Sequence, residues 1–78
     1  MARKKTNRRN EHAIAVLARN IRKYRQEQNI TIEQLANTIN VEYAHVGRIE
    51  RQVGNPTVSM IFALAEALHV RPAQLLEE

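Results

Sequence analysis

The chain has 78 residues, with 12 Lys or Arg against 8 acids (all Glu), for a net charge of +4. That bounds it to one small domain with a basic surplus. A chain this short buries only about 60% of the surface its unfolded form exposes, which leaves little material to surround a catalytic cleft. A large enzyme is excluded and a compact binding module expected. The absence of Cys removes disulfides and thiolate metal sites, and only 2 Gly and 2 Pro occur, so the composition reads as helical.

In chain order, residues 1–10 hold Arg3, Lys4, Lys5, Arg8 and Arg9 and no acid, whereas residues 11–78 sum to −1. A basic, flexible arm over 1–10 and a folded domain over 11–78 are therefore expected. Such an arm either reaches along a phosphate backbone, making binding salt dependent, or serves only as a solubilising tail. The longest apolar run, Met60 to Ala65, is far short of the roughly 20 residues that cross a bilayer. Arg19 and Arg22 break up the only stretch that begins like a signal peptide. A cytoplasmic protein with no membrane partner is expected.

Ile14, Leu17, Ala18, Ile21 and Tyr24 recur at helical spacing, so a first helix is expected from about Glu11 to Gln28, capped by Asn10 and ended by Asn29. Its opposite face carries Arg19, Arg22 and Lys23 and reads as solvated. Thr31-Ile-Glu-Gln34 has the capping-box form and starts a second helix, buried through Leu35, Ala36 and Ile39 and stopping at Asn40. A third follows almost at once, with Val41 in the turn and Val46 and Ile49 facing inward, and Gly54-Asn55-Pro56 closes it. Thr57 caps a fourth, the most apolar, through Val58, Ile61, Phe62, Leu64, Ala65 and Leu68. Arg71-Pro72 opens a short fifth holding Leu75 and Leu76. No segment alternates with period two, so an all-α domain of five helices is expected.

Counted from Ile32, Ala stands at position five and apolar residues at four, eight, ten, fifteen and eighteen, which is the helix-turn-helix pattern. Ala36 must be small because the third helix crosses close above it. An ordinary helical hairpin is the competing reading. The sequence resembles the Cro and phage-repressor type of helix-turn-helix domain over about residues 14–76. The resemblance rests on Leu17-x3-Ile21-x2-Tyr24-Arg25, Thr31-x-Glu33-Gln34-Leu35-Ala36 and Val46-x-Arg48-Ile49-Glu50-Arg51. It continues through Asn55-Pro56-Thr57 and Leu64-Ala65-x-Ala67-Leu68-x-Val70 to Leu75-Leu76.

The resemblance implies a lambda-repressor-like fold whose third helix enters the major groove, with Glu42, Tyr43, Ala44, His45, Gly47 and Arg48 as base-reading candidates. Arg48 suits guanine O6 and N7, and Glu42 suits cytosine N4; Tyr43 and His45 fit a base, a thymine methyl or a phosphate equally. The competing reading of Arg48 is a surface cation paired with a nearby Glu. Backbone-contact candidates are Thr31, Ile32, Arg51, Asn55 and Thr57 together with Arg3, Lys4, Lys5, Arg8 and Arg9, with helix capping as the alternative for Asn55 and Thr57. The resemblance also implies a structural ion pair between Arg25 and Glu50. Four positions depart from the family pattern. Asn40 replaces a turn Gly, Ile32 a polar residue and Glu42 a Ser or Thr cap, and Gln52-Val53-Gly54 displaces the usual Gly by two residues.

A lone major-groove reader gains little specificity, so a homodimer on a palindromic operator is expected, with Met60, Ala63 and Leu76 on the fourth and fifth helices as candidate self-association residues. His12, His45 and His69 show no ligand spacing, so no metal, cofactor or catalytic residue is expected. The second function class is an antitoxin-like module whose main contact is an unidentified protein, with DNA autoregulation secondary. A stand-alone regulator of a neighbouring gene cluster, such as a restriction–modification locus, fits a domain of this size.

Overall fold

The computed structural model describes residues 8–78, so Arg3, Lys4 and Lys5 of the arm lie outside the described residues. Five helices follow in order: α1 (Glu11–Glu27), α2 (Ile32–Thr38), α3 (Tyr43–Glu50), α4 (Val58–Ala67) and α5 (Pro72–Leu75). The described residues form no strand. No described helix is long and apolar enough to cross a membrane.

Local chemistry sets the helix starts. Asn10 accepts from the Ala13 amide, Thr31 and Gln34 complete the capping box on α2, and Thr57 accepts from the Met60 amide. Glu42 precedes α3 without a side-chain cap, the consequence of Glu standing where Ser or Thr would reach back. The first four helices all end by one device. Asn29, Asn40, Gln52 and His69 each take a left-handed conformation, at φ 56, 61, 65 and 59. The next amide then reaches back five residues: Ile30 to Arg25, Val41 to Ala36, Val53 to Arg48 and Val70 to Ala65, at 2.8–3.0 Å. These are Schellman turns, which satisfy carbonyls that the helix end would leave orphaned. α3 therefore stops where a family Gly would stop it, with Gln52 accepting the strained torsion and Gly54 adding a second positive φ of 89.

The core joins Leu17 and Ile21 of α1, Leu35 and Ala36 of α2, Val46 and Ile49 of α3, and Leu64, Ala65, Leu68 and Leu75 from the C-terminal half. Ala36 and Val46 are fully enclosed, consistent with the tight α2–α3 crossing that a small residue permits. Asn20, buried within α1, donates to the carbonyls of Leu75 and Glu77, and Arg19 donates to those of Glu77 and Glu78. These bonds fasten the chain end to α1. The apolar stripe expected on α4 is wider than the cover its neighbours provide. Leu64, Ala65 and Leu68 are buried, but Val58 and Phe62 are 70% and 58% exposed.

Candidate nucleic-acid interface

α3 presents one face outward because its other face is committed. Val46, Ile49 and Glu50 are buried, while Tyr43, Ala44, His45, Arg48 and Arg51 are exposed. At 100° per residue, Ala44, Arg48 and Arg51 fall opposite Ile49, Val46 and Glu50, with Tyr43 and His45 flanking them. Glu42 is exposed at the start of the same face. Gly47 does not share that exposure. It is buried, and Arg51 Nη1 lies 3.1 Å from the position a β-carbon on residue 47 would occupy, so the guanidinium folds back over the bare backbone.

Glu50 fixes the orientation of this helix. Its side chain is only 3% exposed and receives Arg25 in a bidentate pair, Nε to Oε2 at 2.7 Å and Nη2 to Oε1 at 3.0 Å. Arg25 also donates to the Ile30 carbonyl at 2.9 Å, binding the end of α1 to the end of α3. The structure thus brings together the two residues paired from the sequence. It also adds a third: Arg22 donates to the Glu50 carbonyl at 3.0 Å and approaches the carboxylate at 3.5 Å. The face of α1 read as solvated is therefore partly engaged through Arg22 and Arg19. An Arg that serves a distant carbonyl leaves no spacing signal in the sequence.

The backbone-contact candidates separate. Thr31 spends its hydroxyl on the Gln34 amide, and Ile32 turns its side chain onto the core. Thr57 caps α4, and Asn55 donates to the Arg8 carbonyl at 2.9 Å. Arg8 is exposed, but Arg9 is folded against the α3–α4 loop. It donates to the Gln52 carbonyl at 2.7 Å, to the Gly54 carbonyl, and to both carboxylate oxygens of Glu11 at 2.8 and 3.3 Å. The Arg9 hydrogen bond holds the Glu11 carboxyl below its ordinary pKa, against a weak opposing effect of burial. His45 and Arg48 share a recess between α3 and α4 with Val53, Asn55, Thr57 and Met60.

Met60 and Ala63 stand one turn apart on α4, and Leu76 follows α5. Met60 lines the recess beside Arg48, Ala63 lines grooves with Glu66, and Leu76 sits with His12 and Val16 near the start of α1. The histidines are dispersed: His12 on α1, His45 on α3 and His69 in the turn after α4.

A short helix set tightly against another, its outer face polar and its inner face locked to the core, defines the helix-turn-helix class. A helix-turn-helix family model matches residues 21–75, and the chain belongs to that family of DNA-binding transcription regulators. Control protein C.SmaI of Serratia marcescens is 38% identical over 61 residues, covering 78% of this chain and 73% of that protein. Among solved structures, the hypothetical transcription factor NHTF from Neisseria is 32% identical, with a TM-score of 0.82 over 94% of this chain and 85% of its own. The restriction-modification controller protein C.AhdI from Aeromonas hydrophila is 27% identical, with a TM-score of 0.76 over 80% of this chain and 94% of its own. These relatives are described as a control protein, a hypothetical transcription factor and a restriction-modification controller.

Proposed function

We propose that the chain is a sequence-specific regulator that binds a palindromic operator as a homodimer, with α3 in the major groove. The observation that carries this reading is the exposed face of Tyr43, Ala44, His45, Arg48 and Arg51 on a helix held by the buried Arg25–Glu50 pair. Arg48 is assigned to guanine, the commonest specific contact, and Glu42 to cytosine N4. Tyr43, Ala44 and His45 complete the base-facing set. Arg51 reaches phosphate or base across Gly47. The amides at the start of α2, with Thr31 and Ile32, and the α3–α4 loop with Asn55 and Thr57 lie against the phosphate backbone. Arg3, Lys4, Lys5 and Arg8 add sequence-independent affinity.

Self-association is assigned to the outward side of α4, where Phe62 stands beside a groove lined by Ala63, Glu66, Val70 and Pro72. An exposed aromatic next to an apolar groove suits a two-fold contact in which each copy inserts into the other. The likeness to C.SmaI and C.AhdI supports control of a neighbouring gene cluster, such as a restriction–modification locus, in the cytoplasm and without a cofactor.

Selection of bound duplexes from a random pool at near-physiological salt tests the reading. An enriched palindrome with half-sites about one helical turn, roughly 34 Å, apart is the expected result. Absence of enrichment, with binding that disappears as salt rises, overturns it in favour of a module whose main partner is a protein.

A further inference from the structure

We propose that Arg9 is a positioning residue for operator reading: it holds the α3–α4 loop from outside and so fixes the exit of the recognition helix, and it is not a phosphate ligand. The proposal rests on the DNA-reading function proposed above. Its starting point is a difference among the four Schellman turns. In three of them the apolar residue that closes the turn, Ile30, Val41 or Val70, packs against the core. In the turn after α3 that residue is Val53, which is 51% exposed. This turn also carries the least suited left-handed residue, Gln52 at φ 65, and a further positive φ at Gly54. Apolar burial therefore does not secure the loop, although the loop borders the recess that holds His45 and Arg48.

Arg9 supplies the missing anchor. All three guanidinium nitrogens are engaged: Nη2 on the Gln52 carbonyl at 2.7 Å, Nη1 on the Gly54 carbonyl, and Nε on Glu11 at 2.8 Å. The two carbonyls flank Val53, so a single planar group spans the unsecured turn. A second stitch runs the opposite way, from Asn55 Nδ2 to the Arg8 carbonyl at 2.9 Å. The Arg9 side chain is 27% exposed. Four of its five N–H groups are already spent on Gln52, Gly54 and Glu11, so a phosphate could grip it bidentately only by displacing one of these bonds. Arg8 is exposed, holds the loop through its backbone, and its side chain has no partner among the described residues.

Arg9→Ala and Arg8→Ala, with Asn55→Ala severing the second stitch, distinguish the two roles. Affinities of the full-length chain for the selected operator and for an unrelated duplex are measured across a salt series, alongside amide exchange at Val53. For Arg9→Ala, operator affinity is expected to fall about tenfold, comparable to losing one charge-assisted hydrogen bond. The unrelated duplex should bind as before, the slope of log K against log salt should not change, and exchange at Val53, whose amide is bonded to the Arg48 carbonyl, should accelerate. Asn55→Ala should accelerate exchange at Val53 to a smaller extent. Arg9→Lys, whose ammonium cannot fork across both carbonyls, should restore little. Arg8→Ala should instead reduce the slope by about 0.9 and weaken both duplexes alike. If Arg9→Ala behaves as Arg8→Ala is expected to, or leaves loop exchange unchanged, the proposal is overturned. If the wild-type chain prefers no duplex, the operator reading fails by itself, and unchanged or accelerated exchange still decides whether Arg9 holds the loop.

Discussion

The two ends of α3 are held by different physics. Its start follows a turn whose Val41 packs against the core above Ala36, and the crossing is sealed by Leu35 and Val46. Its end is held by three arginines: Arg25 on the Glu50 carboxylate, Arg22 on the Glu50 carbonyl and Arg9 on the carbonyls of Gln52 and Gly54. The same Schellman turn appears at both ends, so the difference lies in what surrounds the turn. Apolar burial carries no charge to screen or titrate, whereas contacts of partly exposed cations weaken with salt and, where the partner is a Glu, with acid. The start of α3 is thus set by packing and its end by charge.

The largest expected effect breaks the charged end at its most buried point. Glu50→Ala leaves the mostly buried Arg25 without its partner and is expected to destabilise the domain by about 3–5 kcal/mol in denaturant melts. A loss below about 1 kcal/mol would mean that water replaces the pair and that the charged end is weakly held. Arg48→Ala tests the face between the two ends: about 1–3 kcal/mol of operator affinity should disappear with preference at one base position, while the melting temperature stays close to wild type. Unchanged base preference would return Arg48 to an ordinary surface cation.

A matched pair sharpens the comparison at smaller scale. Val41→Ala should cost about 1 kcal/mol in stability, and Val53→Ala less than about 0.5 kcal/mol, because only the first removes methyls packed on the core. Equal costs would erase the distinction between the two turns. Gln52→Gly relieves a left-handed torsion at an exposed site and should be neutral to slightly stabilising, by up to about 1 kcal/mol; Asn40→Gly should change little because Asn tolerates that region better.

The smallest effect is on pH dependence. The Arg9 hydrogen bond lowers the Glu11 pKa in the folded chain from the ordinary 4.5. A lowered folded value contributes stability above the unfolded value and loses it as pH falls through the folded one. Protection of the Val53 amide, corrected for the intrinsic pH dependence of exchange, should therefore fall on acidification below the ordinary carboxylate range, and Glu11→Gln should flatten that dependence.

Much of this architecture was legible because it is local. Asn10, Thr31 with Gln34, and Thr57 announce helix starts through contacts three residues away, and Asn29 and Asn40 announce ends through their own torsional tolerance. Arg25 and Glu50, 25 residues apart, came from the family resemblance and meet in the fold. Arg9 and Arg22 were not readable in these roles. Each serves a backbone carbonyl 28 to 45 residues away, and a carbonyl has no side-chain identity to match. Gln52 has no left-handed preference of its own, so the stop of α3 came from the turn closing around it. The exposure of Val58 and Phe62 was hidden for another reason: periodicity marks an apolar stripe but not how much of it the neighbouring helices cover.

Gly47 links the stability of α3 to the placement of a neighbouring cation. Glycine costs α3 about 1 kcal/mol of helix propensity relative to alanine, and in return the Arg51 guanidinium lies along the backbone. One added methyl would land 3.1 Å from Arg51 Nη1 and push that flexible end away. The same substitution that stiffens the helix would thus nudge a surface cation by a few tenths of an ångström. Helix stability and the placement of charge on the outer face of α3 are joined there in one codon.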